Sequence, residues 1–151
     1  RDLQAEAYWQ EQVAGLDEAI AAGGGELLLK IVPDEPAEQQ TYKQWAAEGR
    51  IRSVVIENFH VGDTRRQLLT SLGLQPVVIG SADEAADSPA VRTTNNEQAA
   101  RVAIEALHGL GHRVIAHVRG PAYFSHSIAR SEAFARMSAE LGIRLLEVQG
   151  D

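Results

Sequence analysis

The chain has 151 residues, of which 44% are hydrophobic, and it carries a formal net charge of −7 and no cysteine. Its length suits one domain or two small lobes. The acidic balance argues against a long polyanion as a direct partner, and the absence of cysteine excludes disulfides and thiolate metal sites. No apolar run approaches the roughly 20 residues of a membrane helix, and "RDLQAEAYWQ" lacks the apolar core of a signal peptide, so we expect neither insertion nor export.

The first half of the chain alternates helix and strand patterns. Residues 6–22 predict an amphipathic helix, which three glycines end, and "ELLLKIV" (26–32) then predicts a strand. A second helix over residues 34–49 is followed by the strand "SVVIEN" (53–58). The apolar residues expected on the buried sides of the two helices are Trp9, Val13, Leu16, Ile20, Tyr42 and Trp45.

The second half continues the alternation. A helix over "DTRRQLLTSLG" has Asp63 as its predicted cap and leads into the strand "QPVVIGS". After "SADEAADSPA" come a short extended piece and a helix opened by Asn95, with Gln98 three residues later as in a capping box. The remaining elements are the strand "RVIAHV", a helix from about residue 127 to 141 with Ile128, Phe134, Met137 and Leu141 facing inward, and the strand "RLLEV".

Alternating helices and uniformly apolar strands indicate an α/β fold with parallel sheets covered by helices on both faces. The stretch "SADEAADSPA" (81–90) is the one composition shift typical of a lobe boundary. We therefore expect an N-terminal lobe over residues 1–93 and the beginning of a C-terminal lobe over residues 94–151.

The carboxyl ends of the strands predict where a ligand would bind, because open α/β sheets bind ligands at these loops. Arg130 lies about one turn into the helix after "RVIAHVRG", and its guanidinium suits hydroxyl, carboxylate or phosphate oxygens. The alternative is that Arg130 merely pairs with Glu132 or Glu140, or is solvated. The other candidates at strand ends are Glu57, Asn58, His60, Gly80, Ser81, Tyr123 and Ser125.

Tyr8 and Trp9 are neighbours in the first helix, so both cannot lie in one apolar stripe. One of them is free to stack on a sugar ring or a nucleobase; alternatively, Trp9 is in the core and Tyr8 is half exposed.

Other polar groups give no signature of catalysis or of metal binding. His108 and His112 are four residues apart but lack a third ligand, and Ser125 next to His126 does not establish a catalytic pair. We interpret Arg65 and Arg66 as a solvated helix face. We therefore expect no enzyme activity, no metal and no cofactor.

Several motifs in order resemble the effector-binding domain of the LacI/GalR family of bacterial transcription regulators. They are "YWQEQVAGLDEA", "SVVIEN", "NNEQAARVAIEAL", "LGHR", "GP" at 120–121, and Arg130 followed by Ala133 and Phe134. The resemblance implies a periplasmic-binding-protein-like fold whose two lobes enclose a small molecule, often a sugar or a nucleobase. It also implies that Tyr8 and Trp9 line the cleft and that Arg130 contacts the effector.

The chain departs from the family pattern at several positions, which are Gly80, Asn95, Ala99, Ala106 and Ala133. Relative to that pattern it also lacks the helix-turn-helix, the hinge, the first strand and most of the second lobe. The resemblance implies a cytoplasmic homodimer that contacts operator DNA only through a domain outside these residues.

Two other classes stay open at this level. A sugar-binding protein of an import system shares the fold, and an export signal upstream would favour it, whereas an upstream helix-turn-helix would favour the regulator. A small α/β hydrolase or epimerase would show activity that survives Arg130→Ala but is lost on replacement of His126 or Glu57.

Overall fold

The computed structural model describes residues 7–80, 91–93 and 95–150, with only the backbone described for 91–93. The chain divides into two compact units, Arg1–Glu38 and Gln39–Asp151. Among the residues described, no helix combines the length and the apolar character needed to cross a membrane. The division at residues 93 and 94 into two lobes stays a prediction.

The first unit contains helix α1 (Ala7–Ala22). The predicted stripe of Trp9, Val13, Leu16 and Ile20 is its half-buried side. Backbone N–H groups of Gly23 and Gly25 both donate to the Ile20 carbonyl at 3.0 Å, and Gly24 has φ = 76°, a conformation that glycine adopts without strain. The helix therefore ends where the glycine run predicts.

The predicted strand over residues 26–32 is wrong: this segment joins no β-ladder in the described part of the chain. Leu28, Leu29 and Ile31 are all more than half exposed. An apolar β-branched run favours a strand, but a strand exists only where a neighbouring backbone supplies hydrogen bonds, and that partner cannot be deduced from the run itself.

Helix α2 (Glu35–Glu48) leads into a three-stranded parallel sheet in the second unit. The Ala37 N–H donates to the Asp34 carboxylate at 2.9 Å at the start of α2. The sheet has the order β1 (Ser53–Ile56), β2 (Gln75–Gly80) and β3 (Val91–Thr93), and helix α3 (Arg65–Ser71) connects β1 to β2. Its core consists of Tyr42, Val54, Ile56, Phe59, Leu69, Leu74 and Val78, with Trp45 packed against it.

A second parallel sheet pairs β4 (Val114–Arg119) with β5 (Arg144–Gln149). Helices α4 (Asn96–Gly109) and α5 (Ser125–Glu140) pack against each other, and α5 contacts both strands. The core here is Ile104, Ile115, Met137 and Ile143, with Phe134 and Leu141 partly buried beside it. The Asn95 side chain caps α4 as predicted, because it accepts the Gln98 N–H at 2.8 Å.

Candidate functional site

The loops that follow β1 and β4 meet each other. The Ser125 N–H donates to the Phe59 carbonyl at 2.9 Å, and the Val61 N–H donates to the Tyr123 carbonyl at 3.1 Å. His60 and Phe124 form an isolated antiparallel bridge between these bonds. We call residues 57–62 and 120–125 the loop junction. It lies at the carboxyl ends of strands from both sheets, where open α/β sheets bind ligands.

Glu57 and Asn58 sit at the start of the loop junction, and their backbone is held by Arg65. Arg65 Nη2 donates to the Glu57 carbonyl at 2.8 Å and to the Asn58 carbonyl at 3.3 Å. Its guanidinium carbon lies 5.3 Å from the centroid of the Phe59 ring. Asn58 has φ = 52°, a left-handed conformation that asparagine tolerates better than most residues. The interpretation of Arg65 as a solvated helix residue is therefore wrong.

Asp63 also holds this loop, through hydrogen bonds from Arg65 and His60. Its carboxylate accepts the Arg65 guanidinium at 2.6 Å, the Arg65 backbone N–H at 2.9 Å and the His60 backbone N–H at 3.3 Å. It is not the N-cap of α3: that position is Thr64, which makes no side-chain capping bond. Asp63 nevertheless accepts the N–H of Arg65, the first residue of α3, and adds an ion pair with the Arg65 side chain.

The electrostatics of Asp63 follow from this arrangement. Burial by itself raises the pKa of the Asp63 carboxyl, but hydrogen bonds from the side chain and backbone of Arg65, the charge of Arg65 and the His60 N–H together outweigh it. The pKa of Asp63 therefore lies below its ordinary value of 3.8. The loop is held by a carboxylate that stays ionised near neutral pH.

Several aromatic rings cluster at the loop junction. The His60 ring centroid is 5.5 Å from that of Tyr123 and 5.1 Å from that of Phe124. Phe124 also stacks on His126 at 5.2 Å with an interplanar angle of 18°. Tyr123 is 56% exposed, so one aromatic side chain of this cluster is available to a ligand.

Arg130 follows the junction on α5 and contacts the start of α4. Its Nε–H donates to Asn96 Oδ1 at 2.8 Å, and Asn96 is buried. Neither Glu132 nor Glu140 forms an ion pair with Arg130 within the described residues, so the alternative of a carboxylate partner on its own helix face is wrong. Arg130 itself is exposed.

The remaining predicted site residues divide by location. Ser125 opens α5 within the loop junction, beside Tyr123. Tyr8 is exposed and Trp9 half-buried in the first unit, with ring centroids 6.2 Å apart, and Ser81 lies outside the described residues. The described ranges contain no cluster of three or more histidine, aspartate or glutamate residues arranged to hold a metal ion.

Sequence reasoning missed the contribution of Asp63, Arg65 and Asn96 to this site. Asp63 and Arg65 are two residues apart just after a strand-end loop, which is a spacing from which a carboxylate and a guanidinium can pair. Asn96 is adjacent to a helix cap, and nothing in the local sequence indicates an arginine 34 residues away as its partner.

No protein-family model matches the chain. It is 31% identical over 148 residues to the HTH-type transcriptional regulator AglR of Rhizobium meliloti (strain 1021), covering 95% of the chain and 40% of AglR. A LacI family transcriptional regulator from Bifidobacterium animalis subsp. lactis superposes on 96% of the chain with a TM-score of 0.88 and 25% identity. The chain is therefore similar to these transcription regulators in sequence and in fold.

A further solved regulator has the same fold. The Cra transcriptional dual regulator of Pseudomonas putida, solved with fructose 1-phosphate, superposes on 97% of the chain with a TM-score of 0.79 and 19% identity. The chain spans 40% of AglR and 54% of each of these two solved chains. The expected periplasmic-binding-protein-like α/β fold is confirmed.

Proposed function

We propose that this chain is the effector-sensing part of a LacI-type bacterial transcription regulator. It binds a small molecule, a carbohydrate, and the bound state controls DNA binding by a helix-turn-helix outside these residues. The regulator works as a homodimer in the cytoplasm. Its relative AglR is an HTH-type regulator, which supports this class over the import protein and the enzyme.

The observation that carries the proposal is the loop junction followed by Arg130. Hydrogen bonds at 2.9 and 3.1 Å join the carboxyl-end loops of β1 and β4. A ligand that contacts both loops would therefore bridge the two sheets. A ligand shifts a conformational equilibrium only when it binds one conformation more tightly than the other. A site formed by loops from two sheets can change when the sheets move, so it suits an allosteric sensor.

The chemistry of the junction suits a carbohydrate. Sugar rings present C–H faces that pack on aromatic rings and hydroxyl groups that hydrogen-bond to carboxylates, amides and guanidinium groups. Tyr123 supplies an exposed ring, Glu57 and Asn58 supply polar side chains, and Arg130 supplies N–H donors. The complex of Pseudomonas putida Cra with fructose 1-phosphate shows a sugar phosphate bound to a protein of this fold.

Isothermal titration calorimetry on the full-length protein tests the proposal. The panel comprises maltose, cellobiose, fructose 1-phosphate, adenine and guanine. We expect a carbohydrate to bind and Arg130→Ala to weaken its affinity by roughly tenfold or more, because a hydrogen bond to a charged group contributes about 1.5–3 kcal/mol. Trp9→Ala separately tests the aromatic contact that the family resemblance implies.

Arg136→Ala is the matched control, because Arg136 lies on the same helix and pairs with Glu97 at 2.9 Å on the surface. Its affinity should equal that of the wild type. If Arg130→Ala and Trp9→Ala both bind the effector as tightly as the wild type, the proposed site is contradicted. Binding of a nucleobase in place of a sugar would contradict the ligand class.

A further inference from the structure

Two adjacent asparagines at the start of α4 have different partners. The Asn95 side chain accepts the Gln98 N–H at 2.8 Å and caps its own helix. Asn96 is buried, and its Oδ1 accepts the Nε–H of Arg130 at 2.8 Å from helix α5. A buried amide needs a hydrogen-bond partner, and the partner of this one is the arginine that our proposed site depends on.

This bond selects which edge of the guanidinium remains for a ligand. Arginine has five N–H donors in a rigid plane, and it can offer either the Nε–Nη edge or the end formed by Nη1 and Nη2. Within the described residues, the bond to Asn96 is the one hydrogen bond of the Arg130 side chain, which leaves the end carrying Nη1 and Nη2 for a ligand. Arg130 as a whole is exposed, which suits contact with a ligand.

We propose that Asn96 is a positioning residue for the effector: it holds Arg130 so that Nη1 and Nη2 face the ligand together. This inference rests on the proposed function. The ligand group that fits is one with two neighbouring oxygens, namely a phosphate, a carboxylate or a pair of vicinal hydroxyls. A ligand with a single isolated acceptor would gain little from this arrangement.

The energetic benefit is preorganisation. A free arginine side chain has large rotamer entropy, and immobilising such a side chain on binding costs roughly 0.5–1.5 kcal/mol. Asn96 holds the guanidinium before the ligand arrives, so that part of this cost is absent. Asn96→Ala should therefore weaken effector affinity about 2- to 12-fold, which is that cost expressed as a ratio of dissociation constants.

The first measurement needs no ligand. In ¹H–¹⁵N spectra of the full-length protein, we expect the Arg130 Nε–H to exchange with water more slowly than the Nε–H of an arginine whose side chain makes no hydrogen bond. Asn96→Ala should abolish this protection, whereas Asn96→Asp, which keeps the acceptor oxygen, should retain it. Asn95→Ala is the matched control: it removes the α4 cap and leaves the protection intact. Unchanged protection in Asn96→Ala overturns the inference, whether or not any sugar binds.

The second measurement is a double-mutant cycle on the affinity for fructose 1-phosphate and cellobiose. If Asn96 acts through Arg130, Asn96→Ala weakens binding in the wild type but adds nothing in the Arg130→Ala background. Equal effects in both backgrounds overturn the inference and leave the proposed function intact. Failure of both sugars to bind the wild type counts against the carbohydrate proposal, while the exchange measurement still decides the role of Asn96.

Discussion

Removal of Arg65 should destabilise the protein far more than removal of an arginine in an ordinary surface pair. The Arg65 side chain is 15% exposed and that of Asp63 is 5% exposed, and their closest atoms are 2.6 Å apart. Arg65→Ala would leave a buried carboxylate without its cation. In fully buried pairs such a loss costs about 3–5 kcal/mol, whereas exposed pairs contribute about 0–1 kcal/mol.

We expect the stability lost in Arg65→Ala to lie between these two values. Asp63 would keep two backbone donors, the N–H groups of residue 65 and of His60, which offset part of the loss. The carbonyls of Glu57 and Asn58 would lose their guanidinium donor. We therefore expect the free energy of unfolding to fall by about 2–4 kcal/mol.

Urea unfolding of the full-length protein, followed by far-UV circular dichroism, measures this loss. Arg136→Ala is the control, because Arg136 and Glu97 are 51% and 57% exposed at a distance of 2.9 Å, and it should cost less than about 1 kcal/mol. Adding Asp63→Asn to Arg65→Ala should recover part of the stability, since it removes the orphaned charge. Equal losses in Arg65→Ala and Arg136→Ala would refute the reasoning.

Three further outcomes follow from the same structure. The pKa of Asp63 is lower in the folded state than in the unfolded state. Its contribution to stability is therefore present above the unfolded-state pKa of about 3.9 and is lost as the pH falls through the folded-state pKa. In that pH range, the unfolding free energy of Asp63→Asn should depend less on pH than that of the wild type. A Cβ on Gly120 would lie 3.1 Å from Ser127 Oγ, so Ser127 would have to shift to accommodate it. Gly120→Ala should therefore lower the melting temperature more in the wild type than in a Ser127→Ala background, and equal changes in both would contradict the clash. Ile104→Ala, at a fully buried position, should cost about 2–5 kcal/mol by chemical denaturation, against roughly 0.5 kcal/mol or less for the exposed Val102→Ala on the same helix.

Local patterns predicted most of the secondary structure correctly, because periodicity, caps and glycine stops act over a few residues. The stripe from Trp9 to Ile20 and the cap at Asn95 both depend on spacings within a few helical turns. The strand predicted over residues 26–32 was wrong for the complementary reason. A β-ladder needs a partner strand from elsewhere in the chain, and an apolar run does not indicate whether such a strand is present.

The same contrast between local and long-range information applies to the candidate site. Position after a strand predicted Glu57, Asn58 and the loop containing Tyr123 as site residues, and the structure brings these two loops together. Their role in binding stays a prediction. Sequence alone could not show that the two loops hydrogen-bond to each other, since their sheets are separate. It also assigned Arg65 to solvent, because a charged helix residue is usually solvated unless a carboxylate and free carbonyls converge on it.

The sequence by itself determined the α/β class and, apart from the strand predicted over residues 26–32, the order of helices and strands, because these follow from local spacing. An ordered set of family motifs also singled out Arg130 as a candidate ligand residue. The tertiary structure decided the partners: Arg65 with Asp63, and Arg130 with Asn96. A hydrogen bond across 34 residues depends on how two helices pack, and helix packing is decided by the whole core and by no single segment.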